Sequence, residues 1–210
     1  MDIGKHWDTA YLARDENTLT WFEDVAVVSL RLVRQHLPRG GVMIDVGGGT
    51  SRLVDHVLDE GLGAMTVLDL SSEALEITRA RLGSHTVGVS LIVADICAWT
   101  PDRAYDLWFD RAVFHFLTDP LDQRHYLETL GASLRPGGVA AITTFDLTGP
   151  ERCSNLPVLR YSPETLAGQI DSLIPDLLTP VHAERHAHRT PKGNVQNFQV
   201  SVYRKKDTRT

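Results

Sequence analysis

The stretch VMIDVGGGTSRL, residues 42–53, runs a short β-branched segment straight into Gly47, Gly48 and Gly49. Glycine loses more conformational freedom on ordering than any other residue. Three in succession therefore signal a backbone that must pass close to something. VMIDV is too short and too β-branched for a helix and reads as a buried strand. A phosphate loop needs Gly-Lys-Ser/Thr after its glycines, and no lysine stands here. A dinucleotide turn needs a small residue at its third glycine position, where this chain has Arg52. What remains is Asp45-x-Gly47-x-Gly49-x-Ser51, closing a first strand.

Outward from this turn, apolar strands alternate with helical patterns. Further strands are expected at 64–70, 87–95, 105–110 and 139–146. Between them, a helix capped by Thr50 or Ser51 runs to Glu60, another starts at Ser71, and a third spans 120–135. Upstream, 3–14 and 21–37 have helical spacing, and a further helix lies around 163–174. The last two segments alternate around Thr190-Pro191-Lys192-Gly193-Asn194, which predicts an antiparallel hairpin. The expectation is α/β: one domain with a doubly wound, seven-stranded, mostly parallel sheet and an antiparallel C-terminal hairpin. Residues 1–40 are expected as an N-terminal helical lid, 41–203 as the core and 204–210 as a flexible tail.

Composition narrows the classes. At 210 residues the chain supports one substantial core. Net charge is −6 with scattered basic residues, so no nucleic-acid face is expected. No apolar run approaches the ~20 residues that span a bilayer, and the N-terminus lacks a signal pattern, so no membrane association is expected. Cys97 and Cys153 stand far apart without metal spacing, which fits a reducing cytoplasm and no metal. The oligomeric state is left open.

Ligands of open α/β sheets lie across the carboxyl ends of the strands. There Asp69 ends the second strand and suits vicinal hydroxyls, while Asp95 ends the third and suits an exocyclic amine. Such acids fit a cationic nucleoside and not a pyrophosphate.

VMIDVGGGTS, VLDLS, VADI, YDLWFDRAVFHFL and LRPGG, in this order and spacing, resemble the class I S-adenosylmethionine-dependent methyltransferases. The resemblance covers residues 40–146. It implies S-adenosyl-L-methionine as cofactor, S-adenosyl-L-homocysteine as product, and in-line transfer to an acceptor. By position, Gly47 and Gly49 would approach the methionine part, with Gly48 adding permissiveness and Asp45 and Ser51 completing the loop. Asp69 and Leu70 would meet the ribose, Asp95 and Ile96 the adenine, and Asp110 with Arg111 the methionine amino group. For Asp45 and Asp110, loop ordering is the competing role.

The N-terminal HWDTAYLARDENTLTWFEDVAVVSL and the later GPERCSNLPVLRYSPETL resemble a group of small bacterial methyltransferases. This places His6, Trp7, Tyr11, Trp21 and Phe22 either in an aromatic lid near a sulfonium or in ordinary helix packing. His115 and Asp146 are the candidate catalytic pair, His115 as a base or as a packed ring. Trp7, Tyr11, Cys153, Arg160 and Tyr161 are substrate candidates, Arg160 toward a carboxylate or in a surface salt bridge. HAERHAH (182–188) reads as a solvated strand face. A small-molecule oxygen, nitrogen or sulfur acceptor is expected. A protein lysine, or a catalytically silent scaffold, are the alternatives.

Overall fold

The computed structural model describes residues 2–207. Its sheet is built from β1 (Gly41–Val46), β2 (Gly63–Asp69), β3 (Val89–Val93), β4 (Tyr105–Arg111) and β5 (Leu134–Phe145). After the two-residue strands β6 (Arg152–Cys153) and β7 (Leu156–Pro157), a hairpin of β8 (Leu178–Arg189) and β9 (Val195–Lys205) completes it. The order is β3-β2-β1-β4-β5-β9-β8. The first five strands run parallel, and β9 inserts antiparallel between β5 and β8. This is the mostly parallel seven-stranded sheet with an antiparallel hairpin that the pattern predicted.

Strand alternation splits the core into two layers. Met43, Met65, Leu107, Phe109, Val200 and Val202 pack under the helices α2 (Val27–His36), α3 (Leu53–Asp59) and α4 (Ser72–Leu82). On the other face, Ile44, Leu68, Trp108 and Ile142 pack under α5 (Pro120–Ser133) and α6 (Pro163–Leu173). The remaining helix, α1 (Ile3–Leu12), lies instead across the carboxyl end of the sheet, with Tyr11 packed beside Ala74 of α4.

Several boundaries shift. The helix expected over 21–37 begins only at Val27, because residues 21–26 form a loop that carries Trp21 over the sheet end. Since α2 buries Leu30, Leu32 and Val33 in the core, it belongs to the core and not to a lid. Neither Thr50 nor Ser51 is the N-cap of α3; Arg52 holds that position without a side-chain bond. β3 is shorter than expected, because a 3-10 turn takes up Gly83–Gly88 and Asp95 opens a turn of its own. Pro136-Gly137-Gly138 lies inside β5, where the pairing with β4 is irregular, and not in a loop. Arg204 and Lys205 of the expected tail pair in β9, whereas residues 208–210 lie outside the described residues. No helix among the described residues is long and apolar enough to cross a membrane.

Candidate active site

The glycine turn is tied to the end of β2, where the Leu68 carbonyl accepts the N–H groups of Gly47 (2.7 Å) and Gly48 (3.3 Å). Each glycine is required by a different neighbour. Gly47 has φ +67°, and a Cβ there would sit 2.1 Å from Val113 Cγ2. On Gly48 a Cβ would meet Val67 Cγ1 at 2.6 Å and Asp45 Oδ2 at 2.8 Å, so this position is sterically closed and not merely permissive. Gly49 has φ +47°, and its Cβ would meet the Tyr11 hydroxyl at 2.4 Å. Gly47 and Gly48 line a cavity of about 440 Å³, while Gly49 lies outside that lining beneath α1.

The same cavity collects Asp69, Leu70, Asp95 and Ile96 from the neighbouring strand ends. Burial pushes the Asp69 carboxyl up to about 6, against the pull of N–H groups from Ser71, Gly49 and Leu70. Its Oδ1 accepts from Ser71 N–H at 2.8 Å. Asp95 is exposed and accepts from Cys97 N–H at 2.9 Å.

Aromatic side chains wall the cavity. Trp7 stands edge-on to Trp21 (5.9 Å) and to Phe116 (5.2 Å), and Tyr11 edge-on to Trp21 (5.9 Å). Phe198 and Cys153 add to this wall. α1 is fastened there by Asp8, whose Oδ1 accepts from the Ser71 hydroxyl (2.7 Å) and Glu73 N–H (3.3 Å) at the start of α4. Burial of the Tyr11 hydroxyl beside Asp69 raises it well above its ordinary range, and burial likewise pushes the Cys153 thiol up to about 11.

Two further side chains, Arg111 and His188, also reach the lining, and both lie against Glu23. Arg111 donates to the Trp21 carbonyl at 3.0 Å and lies 3.6 Å from Glu23 Oε2. His188 Nε2 lies 2.8 Å from the Thr20 carbonyl, and Nδ1 lies 3.1 Å from Glu23 Oε1. Burial works against ionisation of Glu23, yet His186, His188 and Arg111 hold it well below the usual carboxylate range.

Other predicted residues stand outside the lining. Ser51 Oγ accepts from Leu53 N–H (3.2 Å) as the chain enters α3. Asp45 is buried at the strand end; burial pushes it up to about 7, with Arg111 pulling the other way. The Asp110 carboxylate accepts from Val113 N–H (2.7 Å), Phe114 N–H (3.0 Å) and the Tyr126 hydroxyl (2.6 Å). It orders the turn Phe114–Phe116, and the residue is fully buried outside the cavity lining.

The catalytic pair is not assembled. His115 is fully buried, with its ring 4.6 Å from Phe116 and 4.7 Å from Phe145. Its Nδ1 accepts from Phe145 N–H, and burial lowers it to about 3, so the proton sits on Nε2 and the ring is no base. Asp146 instead accepts from Arg185 (3.0 Å) and Thr148. Arg160 pairs with Glu151 (2.9 Å), the salt-bridge alternative, and Tyr161 is buried, its hydroxyl accepting from Gln123 (3.1 Å). His188 corrects the solvated-face reading of HAERHAH, being only 5% exposed.

Sequence reasoning missed Glu23, Val113, His188 and Phe198. The alternation of β9 would have marked Phe198 as inward. Nothing local marks Glu23, because its partners lie 88 to 165 residues away in sequence.

Residues 43–138 match the family described as a methyltransferase domain. The trans-aconitate 2-methyltransferase of Rhizobium etli is 33% identical over 146 residues, 68% of this chain and 52% of that protein. The Methylobacterium radiotolerans protein of the same name is 30% identical over 200 residues, 88% of this chain and 72% of that protein. The chain belongs to the class I S-adenosylmethionine-dependent methyltransferases. It spans about half the length of the first curated relatives it matches. In fold, the chain is similar to Burkholderia thailandensis 1,6-didemethyltoxoflavin-N1-methyltransferase, solved with that compound and S-adenosylhomocysteine. The TM-score is 0.70 at 23% identity, covering 98% of this chain and 85% of that one.

The residues present fit the family's cofactor. The backbone at Gly47 and Gly48 forms a wall without room for side chains, and two carboxylates stand on the same wall. The aromatic end beyond them suits a sulfonium, favoured near π faces by ~0.5–2 kcal/mol.

Proposed function

We propose that this chain binds S-adenosyl-L-methionine between the glycine turn and α1 and transfers its methyl group to a small-molecule acceptor. The observation that carries this is one continuous cavity joining Gly47, Gly48, Asp69 and Asp95 to a chamber of Trp7, Trp21, Phe116 and Phe198. When bound, the cofactor supplies an already activated methyl group, so the protein's work is alignment and exclusion of water.

Asp69 accepts the ribose hydroxyls and Asp95 the adenine amine, while the Gly47–Gly48 backbone passes the methionine part. Trp7 and Trp21 close the chamber over the methyl. His115 supports this wall through Phe116 and takes no proton. An acceptor chamber roofed by α1 and loop 20–24 admits a small molecule more readily than a protein side chain.

Calorimetry with S-adenosyl-L-homocysteine tests the binding half. At one hundred times its Kd, bound ligand stabilises by about 2.7 kcal/mol, raising Tm by roughly 5–10 °C. Asp69→Ala should weaken binding at least tenfold. No binding at millimolar ligand refutes the proposal. For the transfer half, radiolabel from the cofactor should enter the small-molecule fraction of a lysate and not the macromolecular one.

A further inference from the structure

Arg111, the last residue of β4, reaches the cavity with most of its guanidinium unspent. Its side chain is 23% exposed, and Nη1 donates to the Trp21 carbonyl at 3.0 Å. The same nitrogen lies 3.6 Å from Glu23 Oε2. Nε and Nη2 have no hydrogen-bond or ion-pair partner among the described residues. An arginine that only holds structure looks different in this protein. Arg81, with 13% of its side chain exposed, spreads Nε, Nη1 and Nη2 over Asp55, Glu16 and the Thr50 and Ser51 carbonyls. A guanidinium stays charged at any working pH, and donors left unmade at a half-buried site carry a cost. The open Nε–Nη2 edge is thus a feature that packing does not explain.

That edge carries two parallel N–H groups, the geometry that meets a carboxylate side-on. Its place in the cavity points to the acceptor end. Asp69, Asp95 and Asp122 line the cavity from β2, the turn after β3 and α5. Arg111 is fastened instead to Trp21, which packs on Trp7 and Tyr11 in the aromatic wall. We propose that Arg111 is a specificity-determining residue: its free Nε–Nη2 edge binds the carboxylate of an acidic, aromatic small-molecule acceptor. This rests on the methyltransferase reading of the cavity. A carboxylate desolvated between aromatic walls is costly unless a cation meets it, and Arg111 supplies that cation at a fixed place. The acceptor is thereby oriented as well as held. The rest of a flat acceptor finds the faces and edges of Trp7, Phe116 and Phe198. The cofactor has a carboxylate of its own, on its methionine part, so the test separates the two sources.

The test uses the full chain, and all binding is read by calorimetry. The cofactor probes are S-adenosyl-L-homocysteine and S-adenosyl-3-thiopropylamine, the same molecule without its carboxylate. The acceptor probes, 2-naphthol and 6-hydroxy-2-naphthoate, differ by a carboxylate and are titrated with S-adenosyl-L-homocysteine saturating. The wild-type protein should bind the naphthoate at least tenfold more tightly than 2-naphthol. Arg111→Gln should bring the two within threefold of each other. The preference for S-adenosyl-L-homocysteine over S-adenosyl-3-thiopropylamine should change less than threefold in that variant. Loosening of loop 20–24 weakens both acceptor probes alike, so their ratio reports the carboxylate contact and not the loop.

A wild-type preference for the naphthoate below tenfold overturns the proposal, as does a preference that survives in folded Arg111→Gln. A variant that loses affinity for S-adenosyl-L-homocysteine but not for S-adenosyl-3-thiopropylamine assigns Arg111 to the cofactor's carboxylate and overturns the acceptor role. If Arg111→Gln melts below assay temperature, Arg111→Lys replaces it, keeping the charge without the fork. A preference cut at least threefold then supports the proposal, and a smaller change overturns it. If neither cofactor probe binds at millimolar concentration, the methyltransferase reading fails, and the naphthoate preference of the ligand-free protein still decides the role of Arg111.

Discussion

At the residue scale, His115 shows how burial decides chemistry. A histidine just past the fourth strand has the composition of a base. Here it sits against Phe116 and Phe145 without charge, its Nδ1 engaged by Phe145 N–H. His115→Ala should therefore act on stability. The emptied volume and the orphaned N–H cost roughly 2–4 kcal/mol, read as a shift in urea midpoint. The pH–rate profile of any methyl transfer should keep its shape. Loss of an ionisation near neutrality from that profile would return the base role to His115.

The helix α1 gives the cavity its roof, and only a few bonds hold it. Asp8 joins it to the first turn of α4, where a carboxylate also meets the positive end of the helix. Asp8→Ala removes a capping interaction of about 0.5–2 kcal/mol. Since Tyr11 and Trp7 reach the cavity only from α1, S-adenosyl-L-homocysteine affinity should fall about fivefold for each kcal/mol lost through the helix. Stopped-flow quenching of Trp7 and Trp21 should show a faster ligand off-rate. Unchanged affinity and off-rate would make α1 ordinary packing. The loop 20–24 is the counterpart element, pinned by Arg111 and His188.

Over the whole molecule, the strand ends concentrate buried acids. Burial pushes Asp45 up to about 7 and both Asp69 and Asp110 up to about 6. In the unfolded chain these carboxyls titrate near 3.8, so between about pH 4 and 7 the folded state binds more protons. Their contribution is complete below the unfolded value and is lost as pH rises through 6 to 7. His115 has the opposite sense: lowered from 6.5 to about 3, it favours the folded state above 6.5 and loses that as pH falls. His36, also lowered from 6.5 by burial, acts in the same sense as His115. The three acids outweigh the two histidines, so the Tm of the ligand-free protein should fall as pH rises from 5 to 7.5. Saturating S-adenosyl-L-homocysteine, by giving ionised Asp69, the one of the three that lines the cavity, hydroxyl partners, should lessen that fall. A ligand-free Tm that rises over this interval would overturn the assignment.

How much was legible in the chain follows from which interactions are local. The order of strands and helices was readable because period-two and period-3.6 patterns, Ser71 as a cap and the 190–194 turn are written within a few residues. Asp69 was readable as a site candidate because a strand's last residue faces the ligand side of an open sheet, and Asp95, two residues past the end of β3, because the turn it opens lies at that same edge. Boundaries failed where tertiary contact overrode local preference. Loop 21–26 gives up helix so that Trp21 can reach Trp7 and Tyr11, and Gly49 is a glycine because Tyr11 lies over it. The fate of His115, Asp146, Arg160 and Tyr161 depended on partners that only folding supplies.

By itself, then, the sequence determined the α/β sheet, its hairpin and the acids at its ligand edge, since periodicity and turn chemistry act over short separations. Only the tertiary structure decided the insertion of β9, the aromatic roof and the Glu23–Arg111–His188 cluster. Those depend on side chains far apart in the chain, whose meeting is set by packing and not by any local signal.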